Sequence, residues 1–359
     1  MSLILPHIER LAAYEAGDYL EAGGDAIKLN QNESPYPASP KVVAALRSIA
    51  EEELRRYPDG RSGLLRSALA HRLGVEENRL FCGNGSSEII ALLFKLLIAP
   101  HSRVAMPDPT FMLYHTAAAV NEIETVPVPV NEDFTIDPDR LSESKANAIV
   151  LVNPNAPTGL LLPLKRIELL LQRFSGLVIV DEAYIDFAES GSSVLPLIGR
   201  YPNLIVVRTF SKSYALCGAR VGYCIADAAI VAALDKGRDV FNVNAVSQKL
   251  ALAALEDEAY MQRTVEAIRR TRKVFCRELV ELGFEYIPSQ TNFVLCGPMA
   301  ERCGKVNARL VYEELQQRNI YVRYLKHPRL VNKLRVSIGT DAEMAVLLKE
   351  LRRIVEQRQ

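Results

Sequence analysis

The 359-residue sequence predicts an α/β fold, with a large domain built on a mostly parallel sheet covered by helices on both faces and a smaller α+β domain after it. Three observations carry the prediction. The length suits two domains better than one. Between residues 61 and 230, short Val/Ile/Leu runs alternate with helical segments, and strands buried on both faces of a parallel sheet must be apolar throughout. Beyond residue 245 the order changes to a long helical stretch followed by two apolar strands and two helices.

Residues 1 to 38 read as an arm, rich in Tyr, Asn and Pro and without periodicity. Ser39 and Pro40 form an N-cap with proline at the first helical position, and Val42, Val43, Leu46 and Ile49 give an apolar stripe running down to Arg56. Pro58-Asp59-Gly60 ends it. The large domain, 39 to 250, then follows in order. Helix 62–73 leads to strand 79–82, helix 85–98 to strand 103–106, and helix 110–120 to strand 123–126. Strand 148–152, helix 163–174 and strands 177–180, 204–207 and 221–225 complete the sheet. Residues 251 to 359 form the small domain, sharing a helix over about 245–281 with the large one. Its strands are Asn292–Leu295 and Leu334–Ile338, with a helix near 305–318. Thr340 and Glu343 are spaced as a capping box ahead of a last helix with Met344, Leu347, Leu348, Leu351 and Ile354 on one face.

The 43 basic residues balance the 43 acidic ones, so no broad field favours nucleic acid or an anionic membrane. No stretch has signal-peptide character or membrane-spanning length, which gives a cytoplasmic expectation. Six cysteines show no C-x-x-C pair and read as reduced thiols. Five scattered histidines lack metal-ligand spacing, so no metal site is expected.

In an open parallel sheet, ligands sit at the carboxyl ends of the strands, so the residues just after each apolar run are the informative ones. Gly83 to Glu88 opens a helix with Gly85, Ser86 and Ser87, a geometry suited to a phosphate, though a capped tight turn reads the same way. Phe111 follows the next strand, where it either stacks on a planar ligand or fills the core. Asn153 to Gly159 holds two prolines, a glycine and Asn155 in a rigid loop. Asp181 ends a buried strand; a carboxylate there needs a partner such as a protonated heterocyclic nitrogen, or caps the next segment. After Leu204–Val207 come Ser211, Lys212 and, eight residues on from the lysine, Arg220. A lysine there is either solvated or a desolvated amine able to react with an aldehyde, and Arg220 matches a phosphate bidentately.

A phosphate cradle, an aromatic plate, a carboxylate, the phenol of Tyr184 and a lysine with its own serine and arginine are together what pyridoxal phosphate requires. From Leu29-Asn-Gln-Asn-Glu33 to Leu334-Arg-Val-Ser-Ile-Gly-Thr340, the chain resembles the fold-type I aminotransferases, whose fold is that of aspartate aminotransferase, and within them the histidinol-phosphate aminotransferases. The resemblance implies that Lys212 bonds covalently to the cofactor, Asp181 keeps its pyridine nitrogen protonated, and Tyr184 bonds its ring oxygen. It further implies that Gly85, Ser86, Ser87, Ser211 and Arg220 hold the phosphate, that Phe111 stacks on the ring, and that Tyr57 reaches the phosphate of the other subunit in a homodimer. The family motif Asn-Asn-Pro-Thr-Gly becomes Asn155-Ala156-Pro157-Thr-Gly here. Either Asn155 replaces the missing ring contact or Tyr184 does more of that work. Tyr14, Asn32, Arg323 and Arg335 fall at substrate-binding positions; the two arginines also alternate with apolar neighbours along their strands. The implied reaction is transamination of histidinol phosphate with 2-oxoglutarate. An aromatic amino-acid aminotransferase, a phosphothreonine decarboxylase and an amino-acid oxidase are alternatives on the same scaffold. A regulator of this fold would need a DNA-binding domain that the arm is too short and uncharged to supply.

Overall fold

The structure is a computed structural model and describes residues 2–13, 17 and 24–358. The Val/Ile/Leu runs form a seven-stranded sheet in the spatial order Leu80–Gly83, Gly222–Ile225, Leu204–Thr209, Leu177–Asp181, Ala148–Val152, Arg103–Asp108, Glu124–Pro129. Six strands are parallel, and Gly222–Ile225 runs against both of its neighbours. Strand Ala148–Val152 is buried along its whole length and Leu204–Thr209 at every residue but Arg208, as a sheet with helices on both faces requires. Strand Arg103–Asp108 outruns its expected end because Pro107 lies beyond the last pairing with Ala148–Val152, so its missing N–H costs nothing on that side.

Two helical expectations change. The stretch over 245–281 is two helices, Ala245–Leu255 and Glu258–Glu281, separated at Glu256-Asp257. The stripe expected down to Arg56 is also split. Helix Pro40–Arg47, capped by the Ser39 hydroxyl on the Val42 amide, stops where Ser48 turns its own hydroxyl back to Ala45, and a separate turn, Glu51–Leu54, follows. Only Val42 is buried; Val43, Leu46 and Leu54 face outward.

The C-terminal part holds an antiparallel sheet in the order Arg323–Tyr324, Leu334–Ser337, Phe293–Pro298, Phe284–Tyr286. Thr340 and Glu343 cap helix Asp341–Glu356 reciprocally, and Met344, Leu347, Leu351 and Ile354 are buried. The arm is tied to this part by a short parallel pairing of Ile27–Lys28 with Ile320–Tyr321. Among the described residues, no helix is long and apolar enough to cross a membrane, and no group of three or more His, Cys, Asp or Glu is placed to hold a metal ion. All six cysteines are free.

Candidate active site

The ends of the parallel strands and the start of the one reversed strand meet at a single edge of the large sheet. Strand Leu80–Gly83 passes directly into helix Gly85–Leu97, so the free amides of the helix start, with Ser86 and Ser87, open at that edge. Gly85 lies at φ +75°, and a Cβ there would collide with the guanidinium of Arg220. A Cβ on Gly222 would equally strike the Ser86 amide. Arg220, itself at φ +54°, donates to the Cys217 carbonyl at 3.1 Å and lies 3.5 Å from the Ser87 hydroxyl. The result is a cup of amides and hydroxyls walled by one cation. Its rim is braced by Glu88, which accepts from the Asn84 amide at 2.5 Å and from Asn242 at 2.9 Å.

Asp181, 2 % exposed, closes strand Leu177–Asp181, the fourth and central one of the seven. One oxygen accepts from the Tyr114 phenol at 2.8 Å, and the other from the Ala183 amide at 3.0 Å. Burial pushes its pKa up to about 6, against the lowering effect of those two donors. The same burial, with Asp181 alongside, raises Tyr114 well above the ordinary phenol range, so it stays a proton donor. Phe111 sits one turn before Tyr114 and meets it edge to face, with ring centroids 6.3 Å apart.

Lys212 lies between the arm and the large sheet. Its Nζ donates to the Gln31 carbonyl at 3.2 Å and stands 5.9 Å from the centre of the Tyr184 ring. Ser211 accepts from the Thr209 hydroxyl at 2.9 Å, which leaves its own proton to donate. The Tyr184 phenol accepts from the side-chain amide of Asn32 at 3.0 Å, and its ring packs edge-on against Phe293 at 5.1 Å.

The sequence matches the family described as aminotransferase class I and II over residues 24–351. The chain belongs to the class I and II aminotransferases. Among its relatives, histidinol-phosphate aminotransferase 1 of Hydrogenovibrio crunogenus is 40% identical over 353 residues, with 97% of each chain covered. The protein of the same name from Nostoc sp. is 36% identical over 352 residues, covering 98% of each. Among solved structures, histidinol-phosphate aminotransferase from Sinorhizobium meliloti, in complex with pyridoxal-5'-phosphate, superposes with a TM-score of 0.89 at 26% identity over 99% of this chain and 98% of that one.

The groups at the sheet edge of this aminotransferase fit such a cofactor. The Gly85 cup is the size that a side chain would fill and carries donors plus Arg220, as a phosphate requires. At the other end, Asp181 is a buried carboxyl with an elevated pKa, which a positively charged ring nitrogen would relieve. Lys212, Tyr184 and Ser211 lie at the same sheet edge.

Other residues singled out in the sequence fall elsewhere or are otherwise engaged. Tyr14 lies outside the described residues. Asn155 is fully buried. Its amide protons go to the Pro109 carbonyl and the Thr158 hydroxyl, both at 3.1 Å, and its carbonyl accepts from Thr110 at 3.1 Å. Tyr57 is 82 % exposed and stacks flat on Phe241, with centroids 4.5 Å apart and planes 9° from parallel. Sequence reasoning missed Tyr114 and Ser337. Tyr114 was open to discovery, because it stands three residues after Phe111 within the helix the sequence predicts over 110–120, and a buried phenol needs an acceptor. Ser337, which bonds Asn32 across 305 residues, had no local signal.

Proposed function

We propose that this aminotransferase moves the amino group of L-histidinol phosphate to 2-oxoglutarate on pyridoxal phosphate, giving imidazole acetol phosphate and glutamate, as a cytoplasmic homodimer. The pairing of Arg323 with Arg335, directly opposite each other on adjacent antiparallel strands, carries the choice of substrate. That register puts two guanidinium forks on one face of the sheet, an arrangement suited to a dianionic phosphate. Arg335 donates to the Asn30 carbonyl at 2.9 Å and lies over the Phe293 ring, the same ring that abuts Tyr184. Arg323 lies under the arm, where a Cβ on Gly17 would stand 2.5 Å from its Nη1.

When bound, pyridoxal phosphate supplies an aldehyde that takes up the donor's amino group and a protonated ring that accepts the electron pair left as the Cα–H bond breaks. Asp181 holds negative charge at the ring nitrogen, with Tyr114 and the Ala183 amide fixing its two oxygens. The Gly85 cup and Arg220 anchor the phosphate, and Phe111 covers the ring. Lys212, once replaced by the donor's amine, is the base that takes the Cα proton and redelivers it. Arg323 and Arg335 hold the donor's phosphate in one half-reaction and the carboxylates of 2-oxoglutarate in the other.

Exposed apolar side chains near Tyr57 and Phe241 in the sequence (Leu54, Leu64 and Val240) support association of two copies. The free cysteines suit a reducing compartment. The deciding measurement is turnover of histidinol phosphate, phenylalanine and tyrosine with 2-oxoglutarate. Histidinol phosphate should be the preferred donor; a clear preference for either aromatic amino acid overturns the proposal.

A further inference from the structure

We propose that Asn32 is a positioning residue for Tyr184: by donating to the phenol oxygen, it leaves Tyr184 its own proton to present to the ring oxygen of the cofactor. The inference rests on the reading that pyridoxal phosphate is bound at Lys212.

Asn32 is 1 % exposed and sits at φ +54°, a backbone state that asparagine adopts more readily than most residues. Each of its polar groups has one job. Its backbone amide donates to the Ser337 hydroxyl at 2.8 Å, that hydroxyl donates to its side-chain oxygen at 3.0 Å, and its backbone carbonyl accepts from Asn292 at 3.0 Å. Its side-chain nitrogen is left facing Tyr184 at 3.0 Å. The Ser337 bond settles which end of the amide points where. With the amide reversed, the buried Ser337 proton would lose its acceptor, and an unsatisfied buried hydroxyl is expensive. Tyr184 is therefore an acceptor toward Asn32 and a donor toward the site.

The direction of that one proton matters because the neighbouring loop offers no substitute. Both amide protons of Asn155 are already donated within the protein, and the next residue, Ala156, is buried and has no polar side chain. Asn32 thus acts on the cofactor through Tyr184.

The test uses the cofactor-loaded enzyme and reads the pH midpoint at which the visible band of the Lys212–cofactor linkage changes. A donor to the ring oxygen draws electron density away from the proton on that linkage and lowers the midpoint. Asn32→Asp keeps the shape and the Ser337 bond but accepts instead of donating, so it turns the Tyr184 proton away. The midpoint should rise by about one pH unit, the equivalent of one hydrogen bond to a charged oxygen. Tyr184→Phe should raise it similarly, and the double variant no further. A rise of equal size with Phe at 184 means that the new carboxylate acts directly, and overturns the proposal, as does an unchanged midpoint. Asn32→Gly, which suits the backbone and removes the donor together with the acceptor of the Ser337 hydroxyl, should give a smaller rise; none at all also overturns it. A wild-type protein with no such band, or a borohydride tag away from Lys212, overturns the cofactor reading and this inference with it. A normal wild-type band with an unresponsive Asn32→Asp overturns the inference alone.

Discussion

The phenol of Tyr114 donates to the carboxyl of Asp181 at 2.8 Å, joining a helix and a strand 67 residues apart in a fully buried bond. Replacing Tyr114 with Phe leaves the Ala183 amide as the remaining donor to Asp181. The Asp181 pKa should rise further above about 6, and its charge should hold a protonated ring less firmly. A hydrogen bond to a charged group contributes about 1.5–3 kcal/mol, so pyridoxal phosphate affinity should fall by roughly 10- to 100-fold. Equilibrium titration of the cofactor-free variant measures it.

Asp181 also predicts a pH effect on the empty protein. Its folded pKa, about 6, exceeds the ordinary 3.8, so the folded state binds more protons than the unfolded state between those values. Stability contributed there is present at low pH and lost as pH rises through about 6. The loss is on the order of 3 kcal/mol. Calorimetry of cofactor-free wild type and Asp181→Asn from pH 4 to 7 should show the variant gaining relative to wild type as pH rises.

Gly85 and Gly74 separate backbone strain from collision. Both have positive φ, but a methyl group at Gly74 meets open space, whereas at Gly85 it strikes Arg220. Gly74→Ala should lower stability by about 1 kcal/mol and leave cofactor affinity unchanged. Gly85→Ala should in addition weaken cofactor binding more than about 10-fold by displacing Arg220 from the cup. Thermal melts beside cofactor titrations distinguish the two.

Arg323→Gln and Arg335→Gln should each raise KM for histidinol phosphate by at least about 10-fold, the loss of one charged contact to phosphate, while leaving cofactor affinity near wild type. Loss of the cofactor on either change would contradict a role confined to substrate.

Mixed dimers test Tyr57. When Tyr57→Phe subunits are combined with Lys212→Ala subunits, the site that keeps Lys212 receives Tyr57 from the other chain. Cofactor affinity at that site should match wild type, whereas the Tyr57→Phe homodimer should bind more weakly. Equal weakness in both would place Tyr57 in its own subunit's site.

Much of this site is legible where a polar residue follows an apolar run. Asp181 and Lys212 stand out because a strand buried on both faces gives a charge no local reason to be there, and the turn after Cys82 because Gly-Asn-Gly-Ser-Ser combines close backbone approach with hydroxyls. What could not be read depends on register and distance. The Arg323–Arg335 pairing follows from which residues oppose each other across two strands, and alternation within each strand does not specify that. The Val43–Leu46 stripe has the periodicity of a core face yet points outward, since the pattern marks burial without naming what does the burying. The break at Glu256-Asp257 lies between two segments that are each helical in composition, so nothing local marks it as the end of a helix.

The bonds between Asn32 and Ser337 span 305 residues, so they impose an order on synthesis. The arm leaves the ribosome early, but its partner emerges only near the end of the chain, long after strand Leu204–Thr209 and the helix at Gly85 could have folded. Until then Tyr184 has no Asn32 held in register behind it. A chain that ends after strand Gly222–Ile225 but before residue 337 therefore contains Lys212 and the residues of the Gly85 cup yet lacks the Ser337 contact that holds Asn32 against Tyr184, which makes that proton placement a property of the finished polypeptide only.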